Sequence, residues 1–83
     1  MNTFLLTSPP LARARDVQFT DVALVVHLED GREITTPFSW FPRLRDATPD
    51  QRSNWRFIGP GTGIHWPDID EDISVSGLLG LDD

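Results

Sequence analysis

The sequence predicts an α+β domain: a small antiparallel sheet in the order strand, strand, strand, helix, strand and a further strand, with one helix packed on it. Three observations lead to this fold. Apolar and polar residues alternate over 17–28, an Asp-Gly turn signal follows, and a proline-led helix start separates this region from two further strand patterns. The 83 residues suffice for one hydrophobic core but not for two.

The first three strands are predicted to form a meander. Val17 and Phe19 alternate with polar residues, and a longer alternation follows over residues 22–28. A three-residue loop over 29–31, with Gly31 in the left-handed conformation, keeps the apolar residues of the next two strands on one face, which a two-residue turn does not. The pairs that this loop predicts are Val26 with Ile34, Leu24 with Thr36 and Val22 with Phe38.

Two helix starts follow the third strand. Proline suits the first helical position, so Phe41-Pro42 predicts a short turn or a one-turn helix. Thr48 predicts an N-cap, because Pro49 comes next and Gln51 completes a capping box three residues later.

The main helix is expected to run from about Pro49 to about Arg56 and to stop at Gly-Pro-Gly, residues 59–61. Within or just after it, Trp55 and Ile58 are three positions apart and are expected to point inward together.

The last third predicts a strand over residues 64–66, a break at Pro67, which cannot donate to a ladder, and a second extended stretch over 72–75. Residues 1–11 contain two prolines and show no clear period, so they are expected to form a tail or an edge segment. Residues 12–83 would then form the domain.

Charge is distributed unevenly. The net charge is −6, every basic residue is an arginine, and none follows Arg56, whereas six acidic residues do. Direct binding to a nucleic acid needs a basic face, which this third of the chain does not offer. A protein partner with a basic surface suits it better, although a negative net charge also simply favours solubility.

The chain contains no cysteine, which excludes disulfides, thiolate metal sites and a cysteine nucleophile. The apolar positions near the start, Phe4 to Leu6, are cut short by Pro9 and Pro10, and no basic residue precedes them. That segment is too short and too broken for a signal peptide or a membrane span, so a cytoplasmic protein without membrane contact is expected.

The acidic run suggests two kinds of site. Asp68, Asp70 and Asp72 reproduce the opening of a calcium loop, but Ile73 and Leu79 occupy the positions that need glycine and glutamate. If the segment is extended, the three aspartates share one face and could bind a divalent metal or a small ligand weakly. No metal ligand or cofactor is assigned on this pattern.

Catalysis finds little support. His27 and His65 stand without a recognisable nucleophile, and the chain has no lysine. A non-enzymatic protein is therefore expected, unless His65 lines a pocket beside one of the acidic-run carboxylates.

Interaction with a protein is the leading hypothesis, since tryptophan and arginine are enriched at binding hot spots. One of the three tryptophans is expected to be partly exposed. Arg43 and Arg45 either face a partner or pair with Asp46, Asp50 or the acidic C-terminal segment. The candidate partner-binding residues are Asp68, Asp70, Glu71, Asp72, Arg43 and Arg45. Self-association is also open: if a terminal strand leaves an unpaired edge, a homodimer through that edge is one natural solution.

Residues 17–79 carry a family likeness. The patterns W-F-P-R-L, A-T-x-x-Q-R and G-I-H-W-P-x-x-D-E-D-I-S resemble a subgroup of the bacterial DUF2442 family of unknown function. The resemblance implies a small cytoplasmic α+β protein. Some members resemble components of two-gene toxin-antitoxin-like modules, and others are joined to a helix-turn-helix DNA-binding segment, for which this chain has no room. It implies no catalytic residue.

Overall fold

The computed structural model describes residues 12–80, and it confirms the α+β class. The expected tail over residues 1–11 lies outside the described residues. The strands are β1 (Ala14–Phe19), β2 (Ala23–Leu28), β3 (Glu33–Pro37), β4 (Arg56–Ile58), β5 (Gly63–Trp66) and β6 (Glu71–Ser74). The helices are α1 (Pro42–Arg45), α2 (Pro49–Ser53) and α3 (Val75–Leu78), and a 3-10 turn over Phe38–Trp40 precedes α1.

The strands divide between two antiparallel sheets rather than forming the single sheet expected. The first sheet has the order β1-β2-β3 and the second the order β4-β5-β6. Pro37 ends β3, and the chain then runs through the 3-10 turn and two short helices before the next strand begins. Each later strand pairs with its neighbour in the chain, so the second half closes a sheet of its own.

The β2–β3 hairpin has the predicted register. Val26 pairs with Ile34 and Leu24 pairs with Thr36. The N–H of Gly31 donates to the Leu28 carbonyl, and Gly31 has a φ of +95°, the left-handed conformation that the three-residue loop requires.

Val22 lies just before β2 and does not join the buried apolar face that was predicted for it. Its carbonyl accepts from the Phe38 N–H, which continues the predicted register, but its side chain is 71% exposed. The Thr20 hydroxyl accepts from the N–H groups of Val22 and Ala23, so the chain is still turning at Val22 and β2 begins one residue later.

The helix at Thr48 starts as predicted but ends early. Both hydrogen bonds of the capping box are present, between Thr48 and Gln51. The helix ends at Ser53, however, and Ile58 lies in β4, 41% exposed, so the expected inward pairing of Trp55 with Ile58 is wrong.

A tertiary hydrogen bond explains the early end. In a continuing helix the Arg52 carbonyl would accept from the N–H of Arg56. That carbonyl instead accepts from the indole Nε1–H of Trp66, at 3.0 Å, and Arg56 pairs with His65 in the second sheet.

Both sheets contribute to one hydrophobic core. Trp66 is fully buried at its centre, together with Leu44 of α1 and Val75 of α3. The other core residues come mainly from the strands: Ala14, Val17, Leu24, Val26, Leu28, Phe38, Ile64 and Ile73.

The two sheets meet closely at Gly61, in the turn between β4 and β5. The Ala14 N–H donates to the Gly61 carbonyl at 2.7 Å. A Cβ on Gly61 would lie 2.6 Å from the Ala14 carbonyl oxygen, and the φ of Gly61 is +102°. Only glycine therefore fits here without a shift of one sheet against the other.

Replacing Gly61 by alanine should destabilise the protein more than replacing Gly31. Both glycines have a positive φ, which costs alanine about 1–2 kcal/mol, but a Cβ on Gly31 meets nothing within 4 Å. We expect the additional clash in G61A to lower the free energy of unfolding by about a further 1–3 kcal/mol. Urea denaturation of the two variants measures the difference, and equal losses would contradict the close approach.

Candidate functional site

The acidic run is bent rather than extended. Residues 67–70 form a turn, and Asp70 adopts the left-handed conformation with a φ of +52°, which aspartate tolerates better than most residues. Asp72 lies beyond the turn, in β6. The alternative in which an extended segment places Asp68, Asp70 and Asp72 on one face is therefore wrong.

No metal centre forms from these residues. Within 12–80, no group of three or more histidine or carboxylate side chains is placed to hold a metal ion. The shared face on which the metal-binding alternative depended does not form, because the turn separates the carboxylates.

Two of the predicted partner-binding residues instead fasten the turn to the helical segment. The Asn54 side-chain amide donates to Asp68 Oδ2 at 3.0 Å. The Arg43 guanidinium donates to the main-chain carbonyl of Asp70. Arg43 and Asp68 thus have partners within the chain, and the turn is tied at both ends.

Arg45 also has a partner within the chain. Its guanidinium makes a two-point contact with the adjacent Asp46, at 3.0 and 3.2 Å. The hydrogen bond from Arg45 holds the pKa of the Asp46 carboxyl below its ordinary value, and Asp46 in turn raises the pKa of Arg45. This pair is the arrangement that the sequence offered as the alternative to partner binding.

Asp72 and His65 form a cross-strand pair. They stand opposite each other in β6 and β5, and the imidazole Nδ1 is bonded to the Asp72 carboxylate. Arg56 occupies the same row in β4, so an arginine, a histidine and an aspartate cross the outer face of the second sheet. The sequence patterns did not predict this pair. A hairpin with residues 67–70 as its loop pairs Trp66 with Glu71 and therefore His65 with Asp72, so the loop length could have indicated it.

The pair supplies two parts of a catalytic triad but not the third. Ser74, two residues along β6, accepts from the Gly77 N–H and caps α3. No hydrogen bond of the described residues joins Ser74 to His65. The Asp72 carboxylate orients the imidazole, but no hydrogen bond of the described residues places a nucleophile against it.

Arg52 is a structural residue. Its Nε donates to the Leu44 carbonyl and its Nη2 to the Arg45 carbonyl, both at 2.8 Å. The guanidinium also lies over the Phe38 ring, 4.4 Å from the ring centroid. Arg52 thereby supplies donors to the last two carbonyls of α1, where helical hydrogen bonds run out.

A groove on the surface combines apolar and acidic groups. Trp40 is 67% exposed, whereas Trp66 is fully buried and Trp55 packs against Phe57. The groove, called the Trp40 groove below, has a volume of about 310 Å³ and lies between the Trp40 region and β6 with α3. Its principal lining residues are Trp40, Phe41, Asp72, Ile73, Ser74 and Leu78.

Of the predicted site residues, Asp72 reaches this groove directly. Glu71 begins β6 opposite Trp66 and is half-buried, while Asp70 lies exposed at the end of the turn. The sequence predicted that one tryptophan would be partly exposed but not which one. Chain position did not indicate that Trp40 and Asp72 would line the same groove.

These features define a small α+β domain with a mixed apolar and acidic surface. The family model for the protein of unknown function DUF2442 matches residues 14–82. The chain belongs to the DUF2442 family, as its sequence patterns indicated. No curated protein matches the chain significantly. Among residues 12–80, no helix has the length and apolar character that crossing a membrane requires.

Two solved structures share the fold. A crystal structure of a protein of unknown function from Rhodospirillum rubrum superposes with a TM-score of 0.72 at 30% identity, covering 83% of this chain and 86% of that one. A solution NMR structure of an uncharacterised protein from Chromobacterium violaceum gives a TM-score of 0.70 at 27% identity. That match covers 82% of this chain and 64% of the other, so this chain spans somewhat less than two thirds of that protein.

The structural role of Arg52 can be separated from that of Arg45. Replacing Arg52 by lysine should lower the free energy of unfolding by about 1–2 kcal/mol, because an ammonium cannot serve both carbonyls in the same fork geometry. The matched variant Arg45→Lys alters only an exposed contact and should leave stability almost unchanged. Thermal and urea unfolding measure both variants, and a similar loss in the two would show that the contacts of Arg52 are not structural.

Proposed function

We propose that this protein is a non-enzymatic, cytoplasmic protein-interaction module that binds a basic protein partner through its acidic C-terminal third. The observation that carries this proposal is that the exposed Trp40 and the acidic Asp72 line one groove. Exposure of a large apolar side chain to water is unfavourable in the free protein, and a partner that covers it removes this cost. Tryptophan is also among the residues most enriched where partners bind.

Charge supports a cationic partner. After Arg56 the chain carries no basic residue, and Asp70 and Glu71 directly precede Asp72 in the chain. Arg43, the cation placed nearest to the turn by its hydrogen bond to Asp70, is occupied by that bond. A positive partner would gain from this field, whereas a phosphate backbone would be repelled.

Within this proposal, the finer role is that of an antitoxin-like or regulatory member of a small bacterial operon. It is motivated by the two-gene modules that the family resemblance suggested. A neighbouring gene that encodes a small basic protein would support this role, and co-expression of the two proteins would give a complex that dissociates at high salt.

The basic-partner proposal can be tested without knowing the partner. A displayed library of random peptides is selected against the immobilised protein at about 0.05 M salt and again at about 0.5 M, where charges are screened over a few ångströms. We expect lysine and arginine to be enriched at low salt and the enrichment to decline at high salt. Selection of acidic or uncharged peptides, or of none, would overturn the proposal.

A pair of charge variants locates the binding surface. The double variant D70N/E71Q should weaken binding of the selected peptides by about three- to tenfold, as expected for the loss of one exposed and one half-buried charge. Asparagine tolerates the left-handed backbone at position 70, so the fold should be retained. The control D16N/E29Q removes the same charge from β1 and from the loop after β2, and it should have a smaller effect. Equal effects would mean that only net charge matters.

A further inference from the structure

From the unpaired edge of β6 we infer that the partner binds as an extended segment that adds to this strand inside the Trp40 groove. The segment would carry arginine or lysine at alternate positions. This inference rests on the proposed function and deepens it, because it specifies the conformation of the partner and the main-chain groups that hold it.

The register of the second sheet identifies those main-chain groups. The Val75 N–H donates to the Thr62 carbonyl, and β6 pairs with β5 in an antiparallel register that continues from this bond. Main-chain groups alternate in direction along an antiparallel strand. The N–H groups of Asp72 and Ser74, and the Asp72 carbonyl, therefore face away from β5.

These outward groups lie along the groove. The second sheet has the strand order β4-β5-β6, so among the described strands β6 is one of its two edge strands. Asp72, Ile73 and Ser74 all line the groove. Ile73 is only 4% exposed, so its side chain forms little of the groove wall. No main-chain hydrogen bond from residues 12–80 beyond the ladder to β5 reaches the outward groups of Asp72 and Ser74. An added strand would satisfy them, as in other complexes formed by strand addition.

The chemistry of the groove selects the side chains of that strand. A cationic side chain on the added strand can pair with the Asp72 carboxylate, which is 65% exposed. The face of the Trp40 indole offers a second attraction for the same kind of group. The opposite wall, with Phe41 and Leu78, accommodates the apolar residues between the cations.

A second copy of this chain fits the same edge poorly. Antiparallel pairing of two β6 strands would bring Asp72 and Glu71 of both copies to one interface. Like charges opposite each other destabilise a sheet, and each copy carries a net charge of −6. Charge complementarity thus favours a cationic segment over the homodimer that an unpaired edge otherwise suggests.

Calorimetry and NMR with the synthetic peptide acetyl-Val-Arg-Val-Arg-Val-amide test the inference. We expect binding that protects the Asp72 and Ser74 amides from hydrogen exchange and shifts the indole N–H signal of Trp40. The variant Trp40→Ala should weaken binding at least about tenfold. The matched control Val22→Ala removes another exposed apolar side chain, in the turn that precedes β2, and should leave affinity unchanged.

Methylation of the peptide main chain tests strand addition independently of any protein variant. Two peptides carry N-methyl groups on alternate residues, one on each set. Because one edge of a strand pairs with its neighbour and the other does not, one peptide should lose binding at least about tenfold and the other should retain it. Equal binding of both, or protection of β3 instead of β6, would overturn strand addition at this edge.

Two further outcomes separate this inference from the function on which it rests. If the library yields basic peptides that D70N/E71Q weakens, but none protects β6, the basic-partner function stands and strand addition fails. If light scattering shows that the protein alone is a dimer with protected β6 amides, the second copy is the occupant and the inference is wrong. If no cationic peptide binds, both proposals fail.

Discussion

The hydrogen bond from the Trp66 indole to the Arg52 carbonyl connects the parts of this small fold. Trp66 is fully buried, so its N–H must find a partner inside the protein. The carbonyl that it finds would otherwise continue α2, and the helix stops there. The same Arg52 holds the end of α1 and stacks on Phe38, directly after the first sheet. One residue thus links the second sheet, α1, α2 and the end of the first sheet.

Local signals in the sequence predicted the local structure. The loop of the β2–β3 hairpin and the capping box at Thr48 depend on residues within a few positions of each other, and both formed as expected. The end of α2 and the division into two sheets could not be predicted in this way. They depend on Trp66, which is 14 residues from Arg52 in the chain, and on pairing among the later strands. Tertiary contacts overrode helix propensity at residues 54–56.

The candidate site shows the same division. The acidic run was visible in the sequence, but a run of charges does not reveal which members have partners within the chain. Arg43 and Asp68 fasten a turn, Arg45 pairs with its neighbour, and Asp72 both pairs with His65 and lines a groove. The groove brings Trp40 next to a strand more than 30 positions further along the chain. Composition predicted an exposed tryptophan, and only the packing of the other two identified it.

The two three-stranded sheets of the described fold present four strand edges, and these are protected unequally. The pairing of β1 is irregular between Ala14 and Asp16, β3 ends at Pro37, and β4 has only three residues before a glycine turn. The geometry of these three strands hinders their pairing with a strand of another chain, and this does not depend on the solution conditions. The edge of β6 is instead guarded by the charge of its own carboxylates. Salt, which screens charges, weakens that protection, whereas the geometric protection of the other three edges does not depend on charge.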